Sequence, residues 1–133
     1  MLVEDNPADV FLVQEAIERH TTGVELLEIR DGEAAIRLID QADAGETPCP
    51  ALILLDLNLP TKTGGEVLAR IRASKRCGRV PVVVVTSSDS LLDHACADAL
   101  GADCYFHKPA DYDEYMQLGA IVRKFLQGSE PRG

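Results

Sequence analysis

Ala51-Leu52-Ile53-Leu54-Leu55-Asp56-Leu57-Asn58-Leu59-Pro60 decides how the rest of the chain is read. From Ala51 to Leu55 the stretch is apolar without a break. A run this short, apolar on both faces, reads as a strand buried on both sides, as in a parallel sheet covered by helices. It ends on an acid, Asp56, and the carboxyl end of such a strand is where open α/β sheets place their sites.

Working outward, Val80 to Val85 is a β-branched run that ends in Thr86, and Cys104 to His107 is a short strand closed by Lys108-Pro109. Upstream, Met1 to Val3 is apolar and stops at Glu4-Asp5, and Val24 to Ile29 is a further strand candidate. Helical patterns fill the gaps. Asn6-Pro7 is a cap followed by a proline at the first helical position, before Val10, Val13 and Ile17, and this helix is expected to end near Arg19 or His20. Asp31 is a cap candidate for a helix carrying Ala35, Leu38 and Ile39. Val67, Leu68 and Ile71 mark a helix ending near Ser74, and Leu91 to Leu100 a fourth, with Gly101 just past its end. Asp111 and Asp113 are alternative caps for the last helix, which carries Met116, Ile121, Val122 and Phe125. Gly119 inside it costs about 1 kcal/mol of propensity relative to alanine. Asp43 to Pro50 and Pro60 to Gly65 read as loops. Five strands alternating with five helices imply an α/β, doubly wound parallel sheet with right-handed crossovers and helices on both faces.

The chain has 133 residues, room for one domain. The domain is read over 1–128, with a frayed tail at 129–133. Only three residues precede the acids of the first strand, which is central in this fold. Either that strand is cut short or the natural chain begins earlier, and a short central strand is expected to weaken the domain because ladder bonds on both sides are lost. A net charge of −9 argues against nucleic acid or an anionic membrane surface as a partner. No apolar run approaches the roughly 20 residues that cross a bilayer, and no secretory signal opens the chain. Cys49, Cys77, Cys96 and Cys104 form no C-x-x-C pair, so they are expected as isolated thiols in core or loop positions. A reduced, cytoplasmic setting fits that reading. His20, His94 and His107 form no close-spaced ligand set and read as structural or exposed.

In a parallel sheet the strand ends share one edge. Glu4, Asp5, Asp56, Thr86 and Lys108 are therefore expected together, from distant parts of the sequence. Two unit charges about 4 Å apart interact by about 4 kcal/mol at an effective dielectric of about 20, so the acids need positive charge beside them. Lys108 supplies one unit, and Mg²⁺ suits a site of carboxylates, waters and a phosphate oxygen. Asp56 then fits the role of a nucleophile that accepts phosphate, with Thr86 suited to bond a phosphate oxygen.

At this point the chain resembles the receiver domain of two-component response regulators over nearly its whole length. The matching pieces are Val3-Glu4-Asp5-Asn6, Leu54-Leu55-Asp56-Leu57-Asn58-Leu59-Pro60, Val85-Thr86-Ser87 and Tyr105-Phe106-His107-Lys108-Pro109. The resemblance implies a flavodoxin-like strand order of 2-1-3-4-5, with Asp56 taking a phosphoryl group from a kinase histidine. Asp5 and Asp56 would bind Mg²⁺ directly and Glu4 through water, with the Asn58 carbonyl as a further ligand. It implies that Lys108 pairs with the phosphate through a cis Lys108-Pro109 bond, that Thr86 moves toward the phosphate, and that Tyr105 changes rotamer. Asn6-Pro7-Ala8-Asp9, the extended loop before Ala51 and the Asp103-Cys104-Tyr105 region resemble the stand-alone receivers paired with cyanobacterial and bacterial phytochromes. That subgroup implies a phytochrome-type sensor histidine kinase as partner and a homodimer.

The function expected is a switch that binds partners differently when phosphorylated, with no enzymatic turnover beyond self-phosphorylation and autodephosphorylation. A dehalogenase-type phosphatase also uses a strand-end aspartate, but it wants a second acid where this chain has Asn58. A phosphate-independent interaction module is the other alternative, told apart by binding that ignores Asp56→Asn. A nucleotide binder is disfavoured because no glycine-rich loop follows the first strand.

Overall fold

The computed structural model describes residues 1–88 and 90–128; the tail read at 129–133 lies outside them. The strands β1 (Leu2–Val3), β2 (Glu28–Ile29), β3 (Ile53–Leu55), β4 (Val82–Thr86) and β5 (Cys104–His107) form one parallel sheet in the order β2-β1-β3-β4-β5. Between and after them run α1 (Pro7–His20), α2 (Gly32–Asp43), α3 (Gly64–Ala73), α4 (Leu91–Ala99), α5 (Tyr112–Met116) and α6 (Leu118–Gly128). The last two are the single helix expected from the pattern, interrupted at Gln117. Its cap is Asp111, whose side chain accepts from Asp113 N at 2.7 Å and Glu114 N at 3.4 Å.

The unbroken apolar run of β3 is explained by two cores. Leu54 joins Leu2, Val83 and Val85 beneath α1, α5 and α6, while Ile53 and Leu55 join Val3 and Val82 beneath α2 and α3. Successive side chains thus enter opposite layers, and neither face admits a polar residue. α4 buries only Ala97. Gly119 now has a reason: a Cβ there would lie 2.0 Å from Ala16 O, so its absence lets α6 lie close against α1. Gly101 ends α4 with φ +94°, as its position predicts.

Three expectations are corrected. The strand read over Val24 to Ile29 is only Glu28–Ile29, because β2 pairs solely with β1 and a ladder is no longer than its neighbour. Lys108-Pro109 is trans, since no cis peptide occurs among the described residues. The trans form is lower in energy even before proline, by about 0.5–1 kcal/mol, and Lys108 reaches its carboxylate partners in it. Cys49 and Cys77 are not isolated thiols but a disulfide, with Cα atoms 5.6 Å apart. Their loops, before β3 and before β4, meet at the amino edge of the sheet although 28 residues separate them in sequence. The expectation of a reduced setting therefore loses its support from the thiols. Cys96 and Cys104 are free.

Candidate functional site

The ladder itself assembles the site. Glu4 N donates to Ile29 O at 2.9 Å, Asp56 N to Val3 O at 3.0 Å and Lys108 N to Thr86 O at 2.8 Å. Each residue is thereby registered just past its strand, on the carboxyl edge. Beyond Glu4 the chain turns at Asn6, whose side chain accepts from Ala8 N to cap α1 and whose backbone N donates to Glu4 Oε2 at 3.2 Å. Beyond Asp56, Asn58 N donates to Asp56 Oδ1 at 3.2 Å, fixing one carboxylate oxygen.

Lys108 is the centre of this edge. Its Nζ lies 2.6 Å from Glu4 Oε1, 2.9 Å from Asp9 Oδ2 and 3.4 Å from Asp56 Oδ2. The Lys108 side chain is 9% exposed and that of Glu4 2%, so water screens little of this. Burial pulls the ammonium down, but hydrogen bonds to Glu4 and Asp9 and the Asp56 charge outweigh it and carry it up to about 12. Glu4 also moves up, which for a carboxylate disfavours the charged form. Burial, joined by the Asp56 charge, overrides the Lys108 bond and pushes it from 4.5 up to about 7. One cation among several acids thus stays charged, while the most buried acid is left under-compensated.

One oxygen from each of Glu4, Asp5 and Asp56 lies within 4.8 Å of the others, and Asp5 is exposed. These are hard oxygen donors with excess negative charge, a set that suits a hard divalent cation. Thr86 is fully buried, and its hydroxyl accepts from Ser88 N at 3.3 Å. Tyr105 packs against α4: its ring centroid lies 4.4 Å from that of His94, and its hydroxyl donates to Ser88 O at 2.9 Å. Glu4, Asp5, Asp56 and Lys108 therefore converge, Thr86 borders them, and Tyr105 sits one layer out.

Asp9 and Tyr115 carry no assigned role in the sequence reading, yet both belong here. Asp9 takes a hydrogen bond from Lys108 and, through its other oxygen, one from Tyr115 OH at 3.1 Å. Burial, followed by the Asp9 charge, pushes the Tyr115 phenol far above its ordinary range, so it remains a donor. An acid in the first turn of the helix that follows Glu4-Asp5 was the available signal for Asp9; nothing near Tyr115 marked it.

A family model described as the response regulator receiver domain matches residues 1–119. The chain is 40% identical over 126 residues to Response regulator Rcp1 of Synechocystis sp., covering 94% of this chain and 86% of that one. In structure it resembles the phosphorylated cyanobacterial phytochrome response regulator RcpA, with TM-score 0.86 and 37% identity over 98% of this chain and 94% of the other. It also resembles the Mn(2+)-bound form of Rcp1, with TM-score 0.84 and 41% identity over 95% and 92% of the two chains.

Proposed function

The chain belongs to the response regulator receiver domain family, and from that premise we propose that Asp56 accepts a phosphoryl group from the phosphohistidine of a sensor histidine kinase, with Mg²⁺ required. The observation that carries this reading is the buried Lys108 ammonium between Glu4 and Asp56. An Asp56 oxygen attacks phosphorus, the phosphorus–nitrogen bond breaks, and the imidazole leaves with a proton. Lys108 faces the charge that develops on the phosphoryl oxygens. Glu4, Asp5, Asp56 and the Asn58 carbonyl would hold Mg²⁺. When bound, the ion supplies the positive charge that these carboxylates and the incoming phosphoryl group need. Thr86 exchanges its bond from Ser88 N for one to a phosphoryl oxygen, and Tyr105 leaves Ser88 O as the loop between β4 and α4 follows.

The kinase is of phytochrome type, a reading supported by the likeness to RcpA, itself described as a cyanobacterial phytochrome response regulator. The switch acts through partners that bind the phosphorylated form differently, a second copy of the chain among them. It turns over no substrate beyond its own phosphorylation and dephosphorylation.

Labelled acetyl phosphate with Mg²⁺ tests the central claim. Wild type is expected to take up label, which a metal chelator abolishes and Asp56→Asn prevents. Label retained in Asp56→Asn sinks the assignment.

A further inference from the structure

The three carboxylate partners of Lys108 are unequal. Asp9 Oδ2 holds its ammonium at 2.9 Å, whereas Asp56 Oδ2 lies at 3.4 Å. Asp9 is itself held in place, because its other oxygen accepts from Tyr115 OH. Tyr115 is 2% exposed, and its ring meets that of Phe106 edge-on at 6.1 Å between centroids. A chain of contacts thus runs from Phe106 in β5 through Tyr115 in α5 and Asp9 in α1 back to Lys108, just past β5.

We propose that Asp9, anchored by Tyr115, is a positioning residue that competes with Asp56 for Lys108 and so limits how fast Asp56 accepts a phosphoryl group. This rests on Asp56 being the acceptor and deepens that reading. An ammonium has three N–H donors, and here Glu4, Asp9 and Asp56 take one each. To face the phosphoryl oxygens, Lys108 must close on Asp56, and its charge-assisted bond to Asp9 resists that movement. The Tyr115 hydroxyl shares the Asp9 charge and keeps that resistance moderate. Removing the hydroxyl leaves Lys108 to satisfy more of the carboxylate.

The test is the rate of labelling by acetyl phosphate in Mg²⁺, at low and high salt, with thermal melts as a control for folding. Asp9→Asn is expected to accelerate labelling on the order of threefold to tenfold, the scale of one charged hydrogen bond partly released. The gain persists at high salt, where a general loss of negative charge is screened but a freed contact is not. Tyr115→Phe leaves net charge unchanged and is expected to slow labelling, while Asp9→Asn combined with Tyr115→Phe matches Asp9→Asn alone. A role confined to folding would slow all three. Labelling that is unchanged or slower in Asp9→Asn, or a gain that disappears at high salt, overturns the proposal even if Tyr115→Phe fails to fold. Wild type that takes no label overturns the phosphoryl-acceptor reading and this inference with it. Wild type that labels normally beside an inert Asp9→Asn overturns only the inference.

Discussion

The two edges of the sheet handle their acids in opposite ways. On the carboxyl edge Glu4, Asp9 and Asp56 share one buried ammonium, and Glu4 is pushed up to about 7. On the amino edge Asp43 has donors to spare: Ser74 Oγ at 2.6 Å, Arg70 Nη2 at 2.9 Å and Arg76 N at 3.1 Å. The Ser74 hydroxyl, followed by Arg70, holds that carboxyl well below its usual range. Cys77 N donates to Ser74 Oγ at 2.9 Å, which ties this cluster to the Cys49–Cys77 disulfide. The Asp43 cluster on the amino edge is therefore satisfied within the chain and acts as an anchor. The carboxyl edge is left short of positive charge, which is the condition for taking up a cation and for changing state when charge is added.

The largest effect that separates the edges comes from the disulfide. It closes a loop of sequence separation 28, for which the chain-entropy relation gives about 3.5 kcal/mol. Replacing Cys49 and Cys77 together by serine is expected to lower the urea midpoint accordingly. Labelling of Asp56 at low temperature should survive, since the bridge lies at the far edge. A midpoint that does not respond, or labelling lost while the protein is still folded, breaks the division of labour between the edges.

A smaller and sharper contrast uses one substitution twice. Asp56→Asn is expected to raise the melting temperature in metal-free buffer, because it removes a charge from an over-acidic cluster while Glu4 and Asp9 keep Lys108 paired. Asp43→Asn is expected to lower it, because Ser74, Arg70 and the Arg76 amide lose their anionic acceptor. Thermal unfolding of both variants with a chelator present decides the matter, and shifts of the same sign erase the distinction.

That contrast also marks what could be read from sequence. Glu4, Asp56, Thr86 and Lys108 were legible because each follows or ends an apolar run, and a parallel ladder carries such positions to one edge whatever their separation. β2 was overread because its length depends on β1, which periodicity in 24–29 cannot report. The break at Gln117 left no mark in the apolar spacing of the last helix. Asp9 and Tyr115 lie 106 residues apart and Cys49 and Cys77 lie 28 apart. No repeat spacing links either pair, since each meets only once helices and loops have packed. Side chains that depend on one strand's end were therefore visible, and those that depend on two packed elements were not.

The smallest expected effect is a slope against pH, and it tests the under-compensated edge directly. Glu4 goes from 4.5 when unfolded to about 7 when folded. Between those values Glu4 holds more protons in the folded chain than in the unfolded one, so its contribution to stability falls as pH rises; the buried Met1 ammonium, pulled from 8.0 down to about 6, has the opposite sign but is common to wild type and variant. The Glu4 contribution is fully present below 4.5 and is lost as pH passes through about 7. Asp43 has the reverse sign: its folded value is depressed, so its contribution is present above the unfolded 3.8 and fades only in stronger acid. Urea midpoints measured across that interval with a chelator present are expected to decline more steeply in wild type than in Glu4→Gln, which cannot lose a proton there. Divalent cation should flatten the wild-type slope toward that of the variant, because it favours the ionised carboxylate that burial opposes. Equal slopes for wild type and Glu4→Gln would mean that Glu4 is compensated after all, and the two edges would differ only in what they are made of.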